Sequence, residues 1–124
     1  MKEHIIYELL FVSATCVRSG ILPGQLATLC ALFRVKEECA SRLSMITGLT
    51  TCSMHRTLNY LLQKGDVEYR IPQEHSGHVR QWRLTDKGRQ RVLQYEEEYR
   101  ERALVMPKNV IHVSTLPDTL ILQR

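Results

Sequence analysis

Thr51, Cys52, Ser53, His55, Arg56 and Asn59, all able to hydrogen-bond, ionise or react, fall within nine positions. Met54, Leu58, Leu61 and Leu62 recur among and after them at i, i+4, i+7 and i+8, which lays one apolar stripe along a helix and leaves most of the polar set off it. Such a face offers hydroxyls, an imidazole, a guanidinium and a carboxamide to a partner. It is not organised for catalysis. The chain has no nucleophile-elbow or phosphate-loop pattern, so binding is expected and an enzyme is not.

Metal chemistry is also poorly supported. His75 and His78 share a polar loop with no third ligand close by, and Cys16, Cys30, Cys39 and Cys52 are spaced 14, 9 and 13 apart, without the close pairs of structural zinc sites. No cofactor is expected, and the cysteines read as reduced thiols of a cytoplasmic protein. Cys52 is the exception worth marking. At a helix start the backbone dipoles favour a thiolate, so its oxidation is a candidate gate on binding.

The elements that must position this face can be read outward from it. Gly48 suits a tight turn needing positive φ, Leu49 can anchor that turn, and Thr50 or Thr51 can cap the helix that follows. Lys64-Gly65 supplies a basic last turn and a glycine stop. Upstream, Lys2 to about Arg18 predicts a first helix with a broad apolar face of Ile6, Leu9 or Leu10, Val12 or Ser13, Cys16 and Val17, either a core helix or part of a dimer seam. Ser19-Gly20 breaks it, and Pro23 suits the next helix start. A second helix is expected from Gln25 to about Arg34, and a third from Glu37 or Glu38 to about Thr47.

Downstream, Val67 to Ile71 and Val79 to Leu84 alternate apolar and polar residues as half-buried strands do, with Pro72 and a polar loop between them. The hairpin carries Arg70, Arg80 and Arg83 on its outward faces. Thr85 caps a last helix from Gly88 to about Val105, where Pro107 is expected to stop it. Val110 to Val113 and Leu120 to Leu122 are short apolar patches in a tail.

The chain has 124 residues, 44% apolar and 24% charged, with net charge +4, which fits one soluble globular domain. The charge is concentrated: Arg34 to Arg91 holds eleven Lys/Arg against six Asp/Glu, between flanks near neutrality. A basic centre of this kind suits a polyanionic partner. The apolar run Ile5 to Val17 contains Glu8 and is too short to span a bilayer, so no membrane role is expected.

In order, these elements resemble the winged helix-turn-helix domain, particularly that of MarR-like regulators. The resemblance is carried by Gly20-Ile21-Leu22-Pro23-Gly24-Gln25-Leu26, by Thr47-Gly48-Leu49-Thr50 with His55-Arg56, Leu58, Leu61 and Gly65-Asp66-Val67, and by Trp82-Arg83-Leu84-Thr85-Asp86-Lys87-Gly88. The middle segment is also similar to IclR-type domains. It departs from the family in having Glu74-His75-Ser76-Gly77-His78 where an acidic-x-arginine wing signature would stand.

The resemblance implies a mainly α fold with a small β-hairpin, comprising residues 1–106 with N- and C-terminal helices and a 107–124 tail. It further implies a bacterial-type transcriptional regulator that binds double-stranded DNA as a homodimer, the Tyr95/Tyr99 stripe and first helix forming the seam. Arg56 and Asn59 would read bases in the major groove, Thr51, Ser53 and His55 would meet bases or phosphates, and Arg70, Arg80 and Arg83 would meet phosphates. A small-molecule effector would fit an apolar pocket between the first helix and the last. The rival expectation is a winged-helix module for protein–protein assembly whose basic face is incidental.

Overall fold

The computed structural model describes residues 2–72 and 79–109. The wing-tip loop with His75 and His78, and the apolar patches after residue 109, lie outside the described residues.

Helix α1 (Lys2–Ser19) ends at Gly20, whose φ of +70° lets its N–H close onto the Cys16 carbonyl at 3.0 Å. The chain turns by 113° into α2 (Pro23–Val35), begun by Pro23 and by the Gln25 side chain, which accepts a bond from the Leu22 N–H at 3.1 Å. Helix α2 is the central post. Leu29 and Leu32 are wholly buried on it, and it touches α1, α3, α4, α5 and the sheet. Thr28, also buried, donates its hydroxyl to the Gly24 carbonyl at 2.7 Å, so its polarity is satisfied within the helix.

The third helix does not start at Glu37 or Glu38. Lys36 adopts φ +72°, a left-handed turn rare outside glycine, and its N–H closes α2 onto Leu32 at 2.9 Å. That turn drops Glu37–Glu38 into a short strand, β1, and Cys39 then precedes α3 (Ala40–Thr47). After α4 (Thr51–Lys64) come β2 (Val67–Arg70) and β3 (Gln81–Leu84). The expected hairpin is present and is joined by a third strand. The antiparallel order is β1-β3-β2, with Glu37 opposite Arg83, Glu38 opposite Trp82, and Tyr69 opposite Trp82 on the other side.

Helix α5 (Asp86–Asn109) is longer than expected and runs past Pro107. Proline there removes one backbone bond, to the carbonyl of residue 103, when only two helical residues remain, so the last turn tolerates it.

Leu26, Leu29, Leu32, Leu43, Met54, Leu58, Leu61, Val67, Trp82, Leu84 and Val92 form one core cluster. Helix α1 stands largely outside it. Phe11 and Thr15 are its buried residues, whereas Ile5, Ile6, Leu9, Leu10, Val12 and Val17 are exposed, Val17 at 83%. Most of the apolar face expected from the sequence is thus unpartnered among the described residues. The tyrosine stripe is spent internally: Tyr99 meets Phe11 edge-on at 5.0 Å and donates its hydroxyl to Glu8 at 3.2 Å, while Tyr95 packs against the core cluster.

Candidate nucleic-acid interface

Helix α4 is held at both ends by features visible in the sequence. Gly48 takes φ +81° and bonds the Ser44 carbonyl at 2.9 Å, and Leu49 packs onto Gly24, where a Cβ would come within 3.1 Å of Leu49 Cδ2. The Thr50 hydroxyl accepts from the Ser53 N–H at 3.1 Å, a cap whose loss costs about 1 kcal/mol. Gly65, at φ +82°, closes the far end onto Leu61 and Leu62.

Between these stops Met54, Leu58 and Leu61 are buried, and Leu62 is half-buried. Thr51, Cys52, His55, Arg56 and Asn59 are exposed. Ser53 is half-buried, so it stands at the margin of the open face. Among the described residues, the side chains of His55, Arg56 and Asn59 make no hydrogen bond or ion pair. An unpaired guanidinium, imidazole and carboxamide on one rigid helix keep their donors for another molecule.

The wing arginines divide into two kinds. Arg70 Nε donates to Glu37 Oε1 and Arg83 Nε to Glu68 Oε2, each at 2.6 Å, so both charges are largely compensated on the protein. These pairs are half-exposed and hold the sheet edge with a modest energy, about 0–1 kcal/mol each. Arg80 has no carboxylate partner among the described residues. Its guanidinium lies 4.3 Å from the centre of the Tyr69 ring, and Tyr69 leans on buried Trp82 at 5.0 Å. That stack aims Arg80 beside the start of α4. Thr51, His55 and Arg80 in fact line one cleft of about 350 Å³ together with Cys39, Ser41 and Trp82. The structure thus brings α4 and the wing together at Arg80 and leaves Arg70 and Arg83 engaged elsewhere.

Ser41 and Cys39 were not expected here. They reach the cleft because β1 pairs with β3, and Glu37-Glu38 read equally well as a helical first turn, so the local sequence carries no signal for them. Cys52 is exposed on the first turn of α4, and all four cysteines are free thiols. No group of three or more metal-binding side chains occurs among the described residues.

Behind the interface, the end of α4 is joined to the start of α5. Lys87 Nζ donates to the Lys64 carbonyl at 2.6 Å, the Thr85 hydroxyl to that of Gly65 at 2.5 Å, and the Thr85 N–H to that of Asp66 at 3.0 Å. Thr85 also caps α5, accepting from the Gly88 N–H at 3.1 Å. Further along α5, Val92, Tyr95 and Tyr99 form one wall of an apolar groove of about 770 Å³ shared with Phe11 and Thr15 of α1 and Leu26 and Phe33 of α2. The Thr15 hydroxyl is buried there without a partner among the described residues, and Cys30 also lines the groove. Cys30 is exposed as a whole residue, but burial of its thiol raises the pKa above the ordinary value.

No protein-family model and no curated protein sequence matches the chain. Solved structures do. A Mycobacterium tuberculosis protein superposes with TM-score 0.71 at 16% identity over 98% of this chain and 80% of its own. A MarR-family transcriptional regulator from Silicibacter pomeroyi gives 0.65 at 16% identity over 93% and 81%. A MarR mutant from E. coli, complexed with operator DNA, gives 0.64 at 18% identity over 76% and 68%. At such identities the likeness is one of fold, and the fold is the winged helix-turn-helix of MarR-type regulators.

Proposed function

We propose that the chain is a homodimeric, sequence-selective regulator of transcription that binds double-stranded DNA in the cytoplasm through α4 and the wing. The observation that carries this reading is the face of α4: Thr51, His55, Arg56 and Asn59 are all exposed on a helix fixed at both ends by left-handed glycines. Arg56 and Asn59 are the base readers, for guanine and adenine edges respectively. Thr51, His55 and Arg80 bond to backbone, with Ser53, Arg70 and Arg83 in supporting roles. The MarR mutant from E. coli, alike in fold, is complexed with operator DNA, which supports duplex DNA as the partner.

Homodimerisation is supported by the bare apolar side of α1, which exposes six large side chains that a second copy would cover. One unit, α1 to α5, would carry both activities. The groove between α1, α2 and α5 is the place for a small apolar effector, with the Thr15 hydroxyl ready to bond it.

The test is selection of bound sequences from random duplex DNA by the full chain, with affinity followed against salt. A two-fold symmetric motif and a steep fall of affinity with salt are expected. No enrichment above background would overturn the reading and leave the winged helix as a protein-assembly module.

A further inference from the structure

We propose that the cleft between α3, α4 and the wing is a clamp for one phosphate of the DNA backbone, with Ser41 as its unassigned member. This rests on the DNA-binding reading above and specifies where the backbone crosses from the recognition helix to the wing.

Three elements converge on the cleft with matched chemistry. Ser41 is exposed on the first turn of α3, and its hydroxyl meets the Cys39 sulfur at 3.3 Å. From α4 come Thr51 and His55, one helical turn apart and both exposed. From the wing comes Arg80, held on Tyr69 and uncommitted to any carboxylate among the described residues.

The local charge favours an anion. Glu37 is taken by Arg70. Glu38 is taken by Arg42 at 3.4 Å and by the Cys39 N–H at 3.0 Å, so both carboxylates of β1, the strand that leads into Cys39 and Ser41, are already engaged. Trp82, Val79 and Ala40 supply an apolar floor. Hydroxyls and a guanidinium around an apolar floor suit a phosphodiester, whose charged oxygens alternate with the carbon faces of deoxyribose.

The test uses the full chain, a selected duplex and an unrelated duplex, with Ser41→Ala, Ser41→Glu and Arg80→Gln. Ser41→Ala should weaken both duplexes alike, by about fivefold for one lost hydrogen bond. Ser41→Glu should abolish binding, although a carboxylate on a helix first turn favours the helix and should not lower the thermal midpoint. That separates a blocked clamp from a damaged fold. Phosphate-ethylation interference should show one backbone position per half-site that blocks the wild-type chain and no longer discriminates in Ser41→Ala or Arg80→Gln. If the wild-type chain binds duplex DNA and Ser41→Glu binds as well, or the interference pattern is unchanged in Ser41→Ala, the clamp is wrong while the DNA reading stands. If the wild-type chain binds no duplex, both fall together.

Discussion

Gly88 lies so close to the Asp66 carbonyl that a Cβ built on it would fall on that oxygen. The same carbonyl accepts the Thr85 N–H, so the contact sits where α4, the wing and α5 meet. Helix propensity alone favours alanine over glycine inside a helix by about 1 kcal/mol. Here the sign should reverse. Gly88→Ala is expected to destabilise the fold by about 3 kcal/mol, because backbone and not a flexible side chain must yield. Urea denaturation checks this, and a neutral or stabilising result would mean that the corner opens easily.

What the sequence made legible follows from how local the cause was. The bounds of α4 were readable because Gly48, Thr50 and Gly65 act within a turn of themselves, and Thr85 could be recognised as the cap of α5 for the same reason. The β1 strand was not readable. Two glutamates form it only because Lys36 takes a left-handed turn and β3 offers an edge, and neither condition is visible in Val35-Lys36-Glu37-Glu38. That one miss also hid two properties of the interface, the neutralisation of Arg70 by Glu37 and the arrival of Ser41 in the cleft. The face of α1 is open in the sequence between core helix and dimer seam, because periodicity finds its apolar residues but cannot say that Phe11 and Thr15 turn inward while Leu9 and Val17 turn out.

Arg56 and Arg83 should separate experimentally. Arg56 is exposed on α4 and unpaired among the described residues, so under the proposed function Arg56→Ala should weaken a selected duplex by about ten- to a hundredfold, the worth of a bidentate base contact, and an unrelated duplex much less. Arg83 is bonded to Glu68 at 2.6 Å, and Arg83→Ala should change affinity only slightly. Glu68→Gln, which frees Arg83, should instead tighten binding to both duplexes and steepen its salt dependence. Fluorescence anisotropy at several salt concentrations measures all three. Equal losses on both duplexes for Arg56→Ala would make it a phosphate contact.

The bare side of α1 predicts the oligomer. Leu9 is 62% exposed within the chain, and a glutamate there would be harmless in a monomer but buried and unpaired in a dimer seam. Leu9→Glu should therefore leave the monomer folded, shift sedimentation from dimer to monomer, and weaken a symmetric site far more than its half-site. A wild-type chain that sediments only as monomer would refute the seam.

Tyr99 gives an alkaline signature for the packing of α1 on α5. Partial desolvation, and then the hydrogen bond to Glu8 with its negative charge, raise the phenol pKa above the ordinary value near 10. Because the folded state holds the proton more tightly, this stabilisation is complete below the unfolded pKa and is lost as pH rises through the folded one. The thermal midpoint of the wild-type chain should exceed that of Tyr99→Phe by a constant margin up to about pH 9, and the margin should shrink above about pH 10. Cys30, whose thiol is raised by burial, titrates in both chains alike and cancels from the difference. A margin that stays constant to pH 11 would show that the phenol proton is not coupled to folding.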